Sequence, residues 1–558
     1  PAEALRIGTR CLLDGLGLFV AGSEEHMVQL LVDEAEQTGG RPDALLLSRG
    51  NTKIPAPMAA RVMGTAGHAH DWDDSQVSID PAHVYGLLTH PTIPPLSGAL
   101  VMAQKLGAID GKTFMLAFLA GFEVECKISE WMLAQHYLRG MHSSATVGTF
   151  GAFAAAAKLL NLTGDKLRCG FGIAASFAAG IRCNFGTMTK PLHVGRAAEN
   201  GVTAALLAAR GFTADPDALD GPWGFYAVHG GGVSAEKISQ GFGKIWTIVE
   251  PGVSIKPYPC GVLTHPTLDL MLKLISENNV KPNDIDKVTV FAGTNILNPI
   301  RYPIAANHLQ AKFSLPAALA MIALTRKAGK KEFSDEFVAA APMQAMQKRI
   351  TTALDGEIEK MGFDKMRSRI VIRLKDGRQV DGWADERYRG GPENPLSDAD
   401  LEAKVRSCCE AVLDEEKQSA LIATGRSKVD GIAQSRELSE FVVDHADFSV
   451  EPLNGVSKGG AHPLCDILIS AGVNTPAAKW FCFLSCSAQP ISLCCYGCCS
   501  LQSINRSVRN GFDFFQWQIR FQLLDRRQIP QSTFVVEIDK HRVGLLQLLV
   551  HGRGRPRI

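Results

Sequence analysis

The chain lacks long apolar runs, an excess of charge of one sign, and a glycine-rich phosphate-binding motif. No stretch reaches the roughly 18 consecutive apolar residues of a membrane-spanning helix, so we predict no membrane span. The 58 Lys and Arg nearly balance the 57 Asp and Glu, and the net charge of +1 offers little attraction for nucleic acid or an anionic membrane. Because strand–helix–strand alternation is also missing, we do not expect a nucleotide-binding fold.

Cysteine is infrequent over most of the chain, and its spacing does not indicate a metal centre. Seven of the 14 cysteines lie before residue 430, scattered in apolar surroundings, which is typical of reduced thiols in a cytoplasmic protein. Cys495 and Cys498 have the spacing of zinc ligands, but no second pair follows them. An iron–sulfur cluster would need three suitably placed cysteines. The cysteines before residue 430 are scattered, so we expect no such cluster. The first residue, Pro1, is not Met, so a mitochondrial location through an upstream targeting peptide stays open.

The length of 558 residues exceeds what one hydrophobic core supports, so we expect more than one domain. Residues 1–256 carry small and apolar residues at helical spacing and predict a large helical domain. Residues 257–396 include a predicted strand over Asp286–Ala292 and a predicted hairpin over Arg369–Val380, and indicate a smaller α+β lid domain. Residues 397–430 predict a helix that returns to the first domain. The expected fold class is therefore mainly α with a second α+β domain.

The last part of the chain, residues 431–558, has no sustained helical or strand period. Hydrophobic, Cys-rich and Arg-rich pieces alternate there without order. We assign this tail to no domain and expect either a disordered appendage or an artefact of the gene model.

The densest group of ionisable residues is His68–Ser75, which is followed by Thr89–Pro91. Ionisable groups are costly to bury together, so the cluster indicates a working site or a solvated loop. His68, His70 and Asp73 could bind zinc as the ligands of hydrolases do. The residues before His68 predict a helix, however, whereas such ligands usually follow a strand. A site without metal is the first expectation, and a zinc-dependent hydrolase is the alternative.

Short polar segments predict how other helices begin. Ser143 or Ser144 is expected to cap a buried helix with its hydroxyl group, and Thr163 is expected to cap the next one. His142 would then lie beside the free N–H groups of a helix start, which form a ready anion site. A capped helix with an incidental histidine is the alternative reading.

Two lysines precede prolines, Lys190 in a predicted break between helices and Lys256 at the predicted domain junction. Lysines at rigid turns can bind substrate carboxylates with little loss of entropy. Exposed loop lysines are the alternative. We interpret His265 and His308 as buried, hydrogen-bonded structural histidines.

Several segments, in this order, resemble the MmgE/PrpD family, which includes 2-methylcitrate dehydratase, cis-aconitate decarboxylase and iminodisuccinate epimerase. The resemblance implies a large helical domain, a smaller α+β lid and an active site between them that uses no metal. It covers residues 1 to about 430. The segments that carry it are His70–Ser75, Thr89–Pro91, Gly140–His142, Thr189–His193, Lys256–Cys260 and Ala311–Pro316.

The resemblance also implies which residues act. Ser75 stands where threonine is frequent in the family, which retains the hydroxyl group. Cys260 and Gly261 occupy the place where the decarboxylase carries a further histidine, which argues against decarboxylation of cis-aconitate. The positions that match catalytic or binding residues of the family are Asp71, Ser75, His90, His142, Lys190 and Lys256.

We therefore expect a cofactor-independent lyase that dehydrates a small di- or tricarboxylate, as 2-methylcitrate dehydratase does. Forming a carbanion beside a carboxylate needs a base, an acid and cations. His90 and His142 would be the acid–base pair, and Asp71 would orient or polarise a histidine. Lys190 and Lys256 would bind carboxylates, and Ser75 would donate a hydrogen bond.

Three alternatives remain beside dehydration. A decarboxylase or an epimerase could use the same residues, the zinc hydrolase could use His68, His70 and Asp73, and a catalytically silent member could serve in binding or assembly. We expect no cofactor, no nucleic-acid or membrane partner, and a homodimer.

Overall fold

The chain is mostly helical, with one small mixed sheet in its second half. The computed structural model describes residues 1–76, 89–107, 109–132, 135–233 and 243–430, together with two short strands later in the chain. The described residues up to 430 belong to one compact unit, and the two later strands belong to another.

The first half of the compact unit is built from helices that pack on one another. A two-residue hairpin pair, β1 (Ala44–Leu45) and β2 (Lys53–Ile54), accompanies them. The helices are α1 Ala2–Ser23, α2 His26–Thr38, α3 Ala56–His68, α4 Ile93–Leu106, α5 Gly111–Trp131, α6 Gln135–Leu138, α7 Ser143–Leu159, α8 Gly164–Phe177 and α9 Thr189–Ala209.

Small residues let the central helices α3, α7 and α9 approach one another closely, as the sequence predicts. A Cβ atom on Gly64 would lie 2.9 Å from the Cα of Gly195, so α3 and α9 touch backbone to backbone. A Cβ on Gly201 would lie 2.5 Å from the backbone nitrogen of Phe153, so α9 and α7 do the same. In α7, Lys158 is the only residue that is not buried. These contacts make a rigid support for the polar loops at the helix ends.

The second half contains a four-stranded sheet with the order β4–β3–β5–β6. Strand β3 (Ile285–Ala292) pairs parallel with β4 (Ile350–Leu354) and antiparallel with β5 (Ser368–Leu374). Strand β5 pairs antiparallel with β6 (Gln379–Trp383). Gly377 lies in the turn at φ +88°, a conformation that glycine adopts without a steric penalty. The predicted strand and the predicted hairpin are therefore both confirmed.

Further helices cover this sheet and close the chain onto α1. Ile370, Ile372 and Leu374 of β5 are buried, and the residues between them face outward. The helices are α10 His265–Glu277, α11 Thr294–Leu297, α12 His308–Ala311, α13 Leu315–Thr325, α14 Asp335–Ala339, α15 Ala341–Gln347, α16 Gly356–Lys360, α17 Asp398–Cys409 and α18 Glu415–Asp430.

The buried apolar side chains form two separate clusters. The first joins the helices of the first half to α17 and α18, through residues such as Leu401 and Val405. The second surrounds the sheet and takes its members from 258–388, with Phe185 added from the first half. The segment 397–430, predicted as one returning helix, forms the two helices α17 and α18, and both contribute to the first cluster. We retain as a proposal the division into a helical domain and a lid at residue 257.

Three local predictions are wrong. Helix α7 begins at Ser143 without a side-chain cap, because the Ser144 hydroxyl instead accepts a hydrogen bond from the backbone of His90 at 3.0 Å. Thr163 precedes α8, but its hydroxyl makes no capping bond. Lys190 lies in the first turn of α9 rather than between helices.

The remaining predictions concern the membrane and the tail. Among the helices that the structure describes, none combines the length and apolar character needed to cross a bilayer. The tail contributes two described strands, β7 (Val535–Glu537) and β8 (Gln547–Leu549), which pair antiparallel. Cys495, Cys498 and the rest of the tail lie outside the described residues.

Candidate active site

One pocket of the compact unit collects all six residues that the sequence singled out. The space among its lining residues, with the open solvent at its mouth included, is about 430 Å³. Apolar and aromatic side chains form its walls, so charged groups inside it are poorly screened by water. The lining residues are Asp71, Ser75, His90, Tyr137, His142, Ser144, Phe185, Lys190, Lys256, Gly261, Val262, Leu263, Pro299, Ile300 and Phe313.

Asp71 enters the pocket from the segment His68–Asp74, which begins at the last residue of α3. Asp71 has φ +52°, a left-handed conformation that aspartate tolerates better than most residues but that still costs energy. Its backbone N–H closes a turn on the carbonyl of His68 at 3.0 Å. The whole loop is buried. Contacts from other parts of the chain must therefore hold Asp71 in this conformation.

Asp71 lies between the two predicted lysines. The Lys190 ammonium donates to its Oδ1 at 2.6 Å, and the Lys256 Nζ lies 3.4 Å from the same atom. Burial alone would raise the pKa of Asp71, but the charges of Lys190 and Lys256 outweigh burial and hold that pKa well below its ordinary value. Asp71 is therefore an anion. Its Oδ2 is buried and has no hydrogen-bond partner among the described residues.

Three lysines from distant parts of the chain hold the backbone carbonyls of this loop. Lys312 donates to the carbonyl of Ala69 at 3.1 Å. Lys256 donates to the carbonyl of Asp71 at 2.8 Å, and Lys404 donates to that of Trp72 at 2.9 Å. All three ammonium groups are buried. We refer to Lys256, Lys312 and Lys404 as the carbonyl-binding lysines.

The three lysines differ in how their charge is balanced. Lys404 forms a buried ion pair with Asp14 of α1 at 2.7 Å. Lys312 contacts the ring Nδ1 of His308 at 3.2 Å, and no described carboxylate lies within 4 Å of its ammonium group. Burial lowers the pKa of Lys312 to about 8. We predicted His308 to be buried, and it is only half-buried. Its predicted hydrogen bond is present, as the contact of its Nδ1 with Lys312.

His68 is a neutral structural histidine behind the pocket. Its Nδ1–H donates to the Asp73 carboxylate at 2.8 Å, and its Nε2 accepts from the Lys190 ammonium at 2.6 Å. One nitrogen must therefore carry a proton and the other must not. Burial lowers the pKa of His68 to about 3, which agrees with this assignment.

His90 presents a free ring nitrogen beside two carboxylates. Its Nδ1 lies 2.8 Å from the carbonyl of Asp74, which can only accept, so Nδ1 carries the proton and Nε2 has the lone pair. Burial lowers the pKa of His90. A proton added at Nε2 would be stabilised by Asp71 Oδ1 at 3.7 Å and by Asp73, whose Oδ2 lies 3.3 Å from Nδ1. His90 is thus arranged as a base. The Ser75 hydroxyl lies 3.4 Å from the same ring.

His142 occurs at the N-terminal end of α7, as predicted, but its ring pairs with another histidine. The Nδ1 atoms of His142 and His193 are 3.0 Å apart, so one donates and the other accepts. The ring also packs edge-on against Phe185. Burial, and then the charge of Lys190, hold the pKa of His142 well below its ordinary value. His142 is therefore neutral at physiological pH.

The structure brings together two of the three ligands of the zinc alternative, His68 and Asp73, but not His70. His70 turns away from the pocket and donates from Nε2 to the carbonyl of Ala21 at 3.0 Å. A different set, His68, Asp71, Asp73 and His90, places one ligand atom each within 4.8 Å of the others. The Lys190 ammonium is already bonded to two members of that set, so a metal bound there would compete with Lys190 for His68 and Asp71.

Several residues of the site were missed from the sequence as functional residues. Lys312 and His193 belong to segments that carry the family resemblance, and that signal could have found them. Tyr137 lines the pocket under the Arg182 guanidinium, 3.8 Å from its ring centre, and no sequence signal marked it. His265 is buried and bonded to the carbonyl of Cys260 at 3.3 Å, and it does not line the pocket.

The comparisons with known proteins cover the same part of the chain. Residues 1–237 match the MmgE/PrpD N-terminal domain, and residues 258–427 match the MmgE/PrpD C-terminal domain. The chain is 26% identical over 419 residues to cis-aconitate decarboxylase from Homo sapiens, with 74% of this chain and 85% of that protein covered. The enzyme of the same name from Mus musculus is 27% identical over 425 residues, with 75% and 85% covered. That from Aspergillus terreus is 24% identical over 439 residues, with 75% and 87% covered.

Proposed function

Because the chain belongs to the MmgE/PrpD family, we propose that it is a lyase that acts on a small di- or tricarboxylate without a cofactor. The relatives named above as cis-aconitate decarboxylases support a lyase. The observation that carries the proposal is the meeting of two lysines, two neutral histidines and one aspartate in a single buried pocket. We propose dehydration as the reaction.

The two lysines define the substrate class. Lys190 and Lys256 place ammonium groups in the pocket, and burial makes their attraction for an anion strong. Without substrate, the single carboxylate of Asp71 contacts both ammonium groups and so compensates only one of the two positive charges. A carboxylate of the substrate would share the two ammonium groups with Asp71, and the Ser75 hydroxyl would be a further hydrogen-bond donor. A substrate with one carboxylate on each lysine gains most from this arrangement.

Dehydration needs a base for the proton beside the carboxylate and an acid for the departing hydroxyl group. His90 supplies the base, because its Nε2 has a lone pair and Asp71 and Asp73 stabilise the cation that forms. His142, which also lines the pocket, supplies the acid. Lys190 and Lys256 hold the negative charge that develops on the substrate carboxylate.

Decarboxylation is the second candidate, and the names of the relatives favour it. It needs an acid to protonate the carbanion but no base, so the carboxylate-flanked His90 would be left without a proton to remove. Gly261 lines the pocket where that enzyme is expected to carry a further histidine. An epimerase would use the same two histidines without net elimination. The base that decarboxylation would not use and the glycine in place of a further histidine make dehydration the stronger proposal.

A substrate panel tests the proposal. Purified protein is incubated with methylcitrate, citrate, cis-aconitate and substituted succinates, and products are followed by NMR in deuterated water. We expect an unsaturated product from a hydroxy acid. Carbon dioxide release from cis-aconitate would establish decarboxylation instead, and deuterium uptake with inverted chirality would establish epimerisation. No change with any carboxylate would support the silent binding protein.

The lysines give an independent test of the substrate class. Lys190→Met and Lys256→Met should each weaken substrate binding by about 1.5–3 kcal/mol, the scale of a lost hydrogen bond to a charged group. This corresponds to roughly ten- to 150-fold in KM. Lys166→Met, an exposed lysine of α8 away from the pocket, is the control. Wild-type kinetics in the two pocket variants would contradict their role.

A further inference from the structure

His142 faces a difficulty as an acid, because it is neutral. Burial and the nearby Lys190 disfavour an imidazolium at this position. Among the described residues, no carboxylate lies within 4 Å of its ring to stabilise one. A neutral imidazole that gives up its Nε2 proton becomes an anion unless a proton arrives at Nδ1 in the same step. The group at its Nδ1 therefore decides whether His142 can act.

That group is His193. Its Nδ1 lies 3.0 Å from Nδ1 of His142, within hydrogen-bond distance. It lies on α9, one turn after Lys190, so one helix carries both a pocket lysine and this ring. His193 is not part of the pocket lining, and it keeps 8% of its surface exposed against 3% for His142. His142 therefore lies nearer the cavity, and His193 is the slightly more exposed of two buried rings.

We propose that His193 is a relay that carries protons between solvent and His142 during the proposed lyase reaction. In the resting pair, His142 carries its proton on Nε2, and His193 donates from Nδ1 to Nδ1 of His142. When the Nε2 proton of His142 passes to the substrate, the Nδ1 proton of His193 moves to His142. His193 then takes one proton from water at its own Nε2.

This transfer leaves both rings neutral and balances the protons. One N–H bond breaks and one forms on each ring, and the net movement is one proton from solvent to substrate. Afterwards His142 donates from Nδ1 to His193, so the hydrogen bond survives with its direction reversed. The reverse movement, with water or substrate as the proton source in the pocket, restores the starting pair. Burial, and then the charge of Lys190, lower the pKa of His193 to about 4, which keeps the pair neutral at physiological pH.

The proposal rests on the proposed function, and His193→Gln tests it. A glutamine amide can still donate to Nδ1 of His142, but it cannot exchange a proton between two nitrogens. We expect kcat to fall at least tenfold with KM and the melting temperature little changed. Small imidazole buffers should restore part of kcat in proportion to their concentration. His229→Gln, a partly exposed histidine away from the pocket, is the control and should behave as wild type in both respects.

Nitrogen-15 NMR of the histidines separates failure of the relay from failure of the function. We expect a coupling or shared proton between the two Nδ1 atoms in the wild-type protein, and its loss in His193→Gln. Rings that show no Nδ1 contact would overturn the relay, whether or not a substrate is found. Wild-type kcat in His193→Gln would also overturn it. A wild-type protein that turns over no carboxylate, but retains the Nδ1 bond, would overturn the proposed function alone.

Discussion

Removing the Lys312 ammonium should cost the protein activity but little stability. Lys312 is buried, donates to the carbonyl of Ala69, and has no described carboxylate within 4 Å. Burial lowers its pKa from the ordinary 10.5 to about 8, which corresponds to about 3 kcal/mol against the folded, charged form at pH 7. Lys312→Met removes this cost and keeps the apolar part of the side chain. It also leaves the carbonyl of Ala69 without its donor, a loss of roughly 1–3 kcal/mol.

The two effects nearly cancel, so the free energy of unfolding at pH 7 should change by less than about 2 kcal/mol. The pH dependence gives a second check. Between pH 8 and 10.5 the unfolded chain holds the Lys312 proton and the folded chain has lost it, so this lysine makes stability rise with pH. The Lys312→Met variant should lack that rise. Activity should fall, because the loop that carries Asp71 loses one of its contacts.

Lys404→Met is the matched comparison. Lys404 also donates to a carbonyl of the loop, but it pairs with the buried Asp14, whose carboxylate would be left unpaired. Breaking a buried ion pair in this way typically costs about 3–5 kcal/mol. Urea unfolding of both variants at pH 7 and pH 10 measures the difference. If Lys312→Met loses as much stability as Lys404→Met, the reasoning about its unbalanced charge is wrong.

Three further predictions concern the site and the chain length. His90→Gln and His142→Gln should each lower kcat by about 10²–10⁴-fold at nearly constant melting temperature. His265→Gln is the control and should retain its rate. The opposite pattern would refute the roles of the pocket histidines. Turnover should survive EDTA, since the proposed chemistry uses histidines and lysines and the Lys190 ammonium already bonds two members of the metal-like cluster. Activity lost and then restored by zinc would revive the hydrolase. A chain that ends at Lys428 should fold and turn over normally, because both apolar clusters and the whole pocket precede that residue. An insoluble protein would contradict this prediction.

Sequence patterns predict those helices and strands that are determined by residues close together in the chain. The hairpin at β5 and β6 follows from alternating apolar residues and a glycine that accepts positive φ at residue 377. The helices of the first half follow from small residues at helical spacing. The candidate residues also gather as the resemblance implies, since Asp71 and Lys256 line one pocket although 185 positions separate them.

What the sequence could not supply is the direction of each side chain. His68 and His70 are two residues apart, and only the packing of α3 against α1 decides that His70 turns to the carbonyl of Ala21 while His68 meets Lys190. Of the three ligands of the zinc alternative, His68 and Asp73 therefore stay together and His70 does not join them. Likewise, the sequence predicts that the Ser144 hydroxyl can cap a helix, but in the structure this hydroxyl accepts a hydrogen bond from the backbone N–H of His90. Such choices depend on neighbours that are remote along the chain.

The carbonyl-binding lysines have a consequence for how the protein is made. The loop around Asp71 is among the earlier parts of the chain to leave the ribosome, yet Lys312 and Lys404 contact it from 243 and 332 residues further on. Closing such long separations is slow and must wait for the later residues. The nascent helical half therefore emerges with the loop around Asp71 unsupported. Activity of the proposed lyase would then report that synthesis has passed residue 404 and that Lys312 and Lys404 have reached this loop.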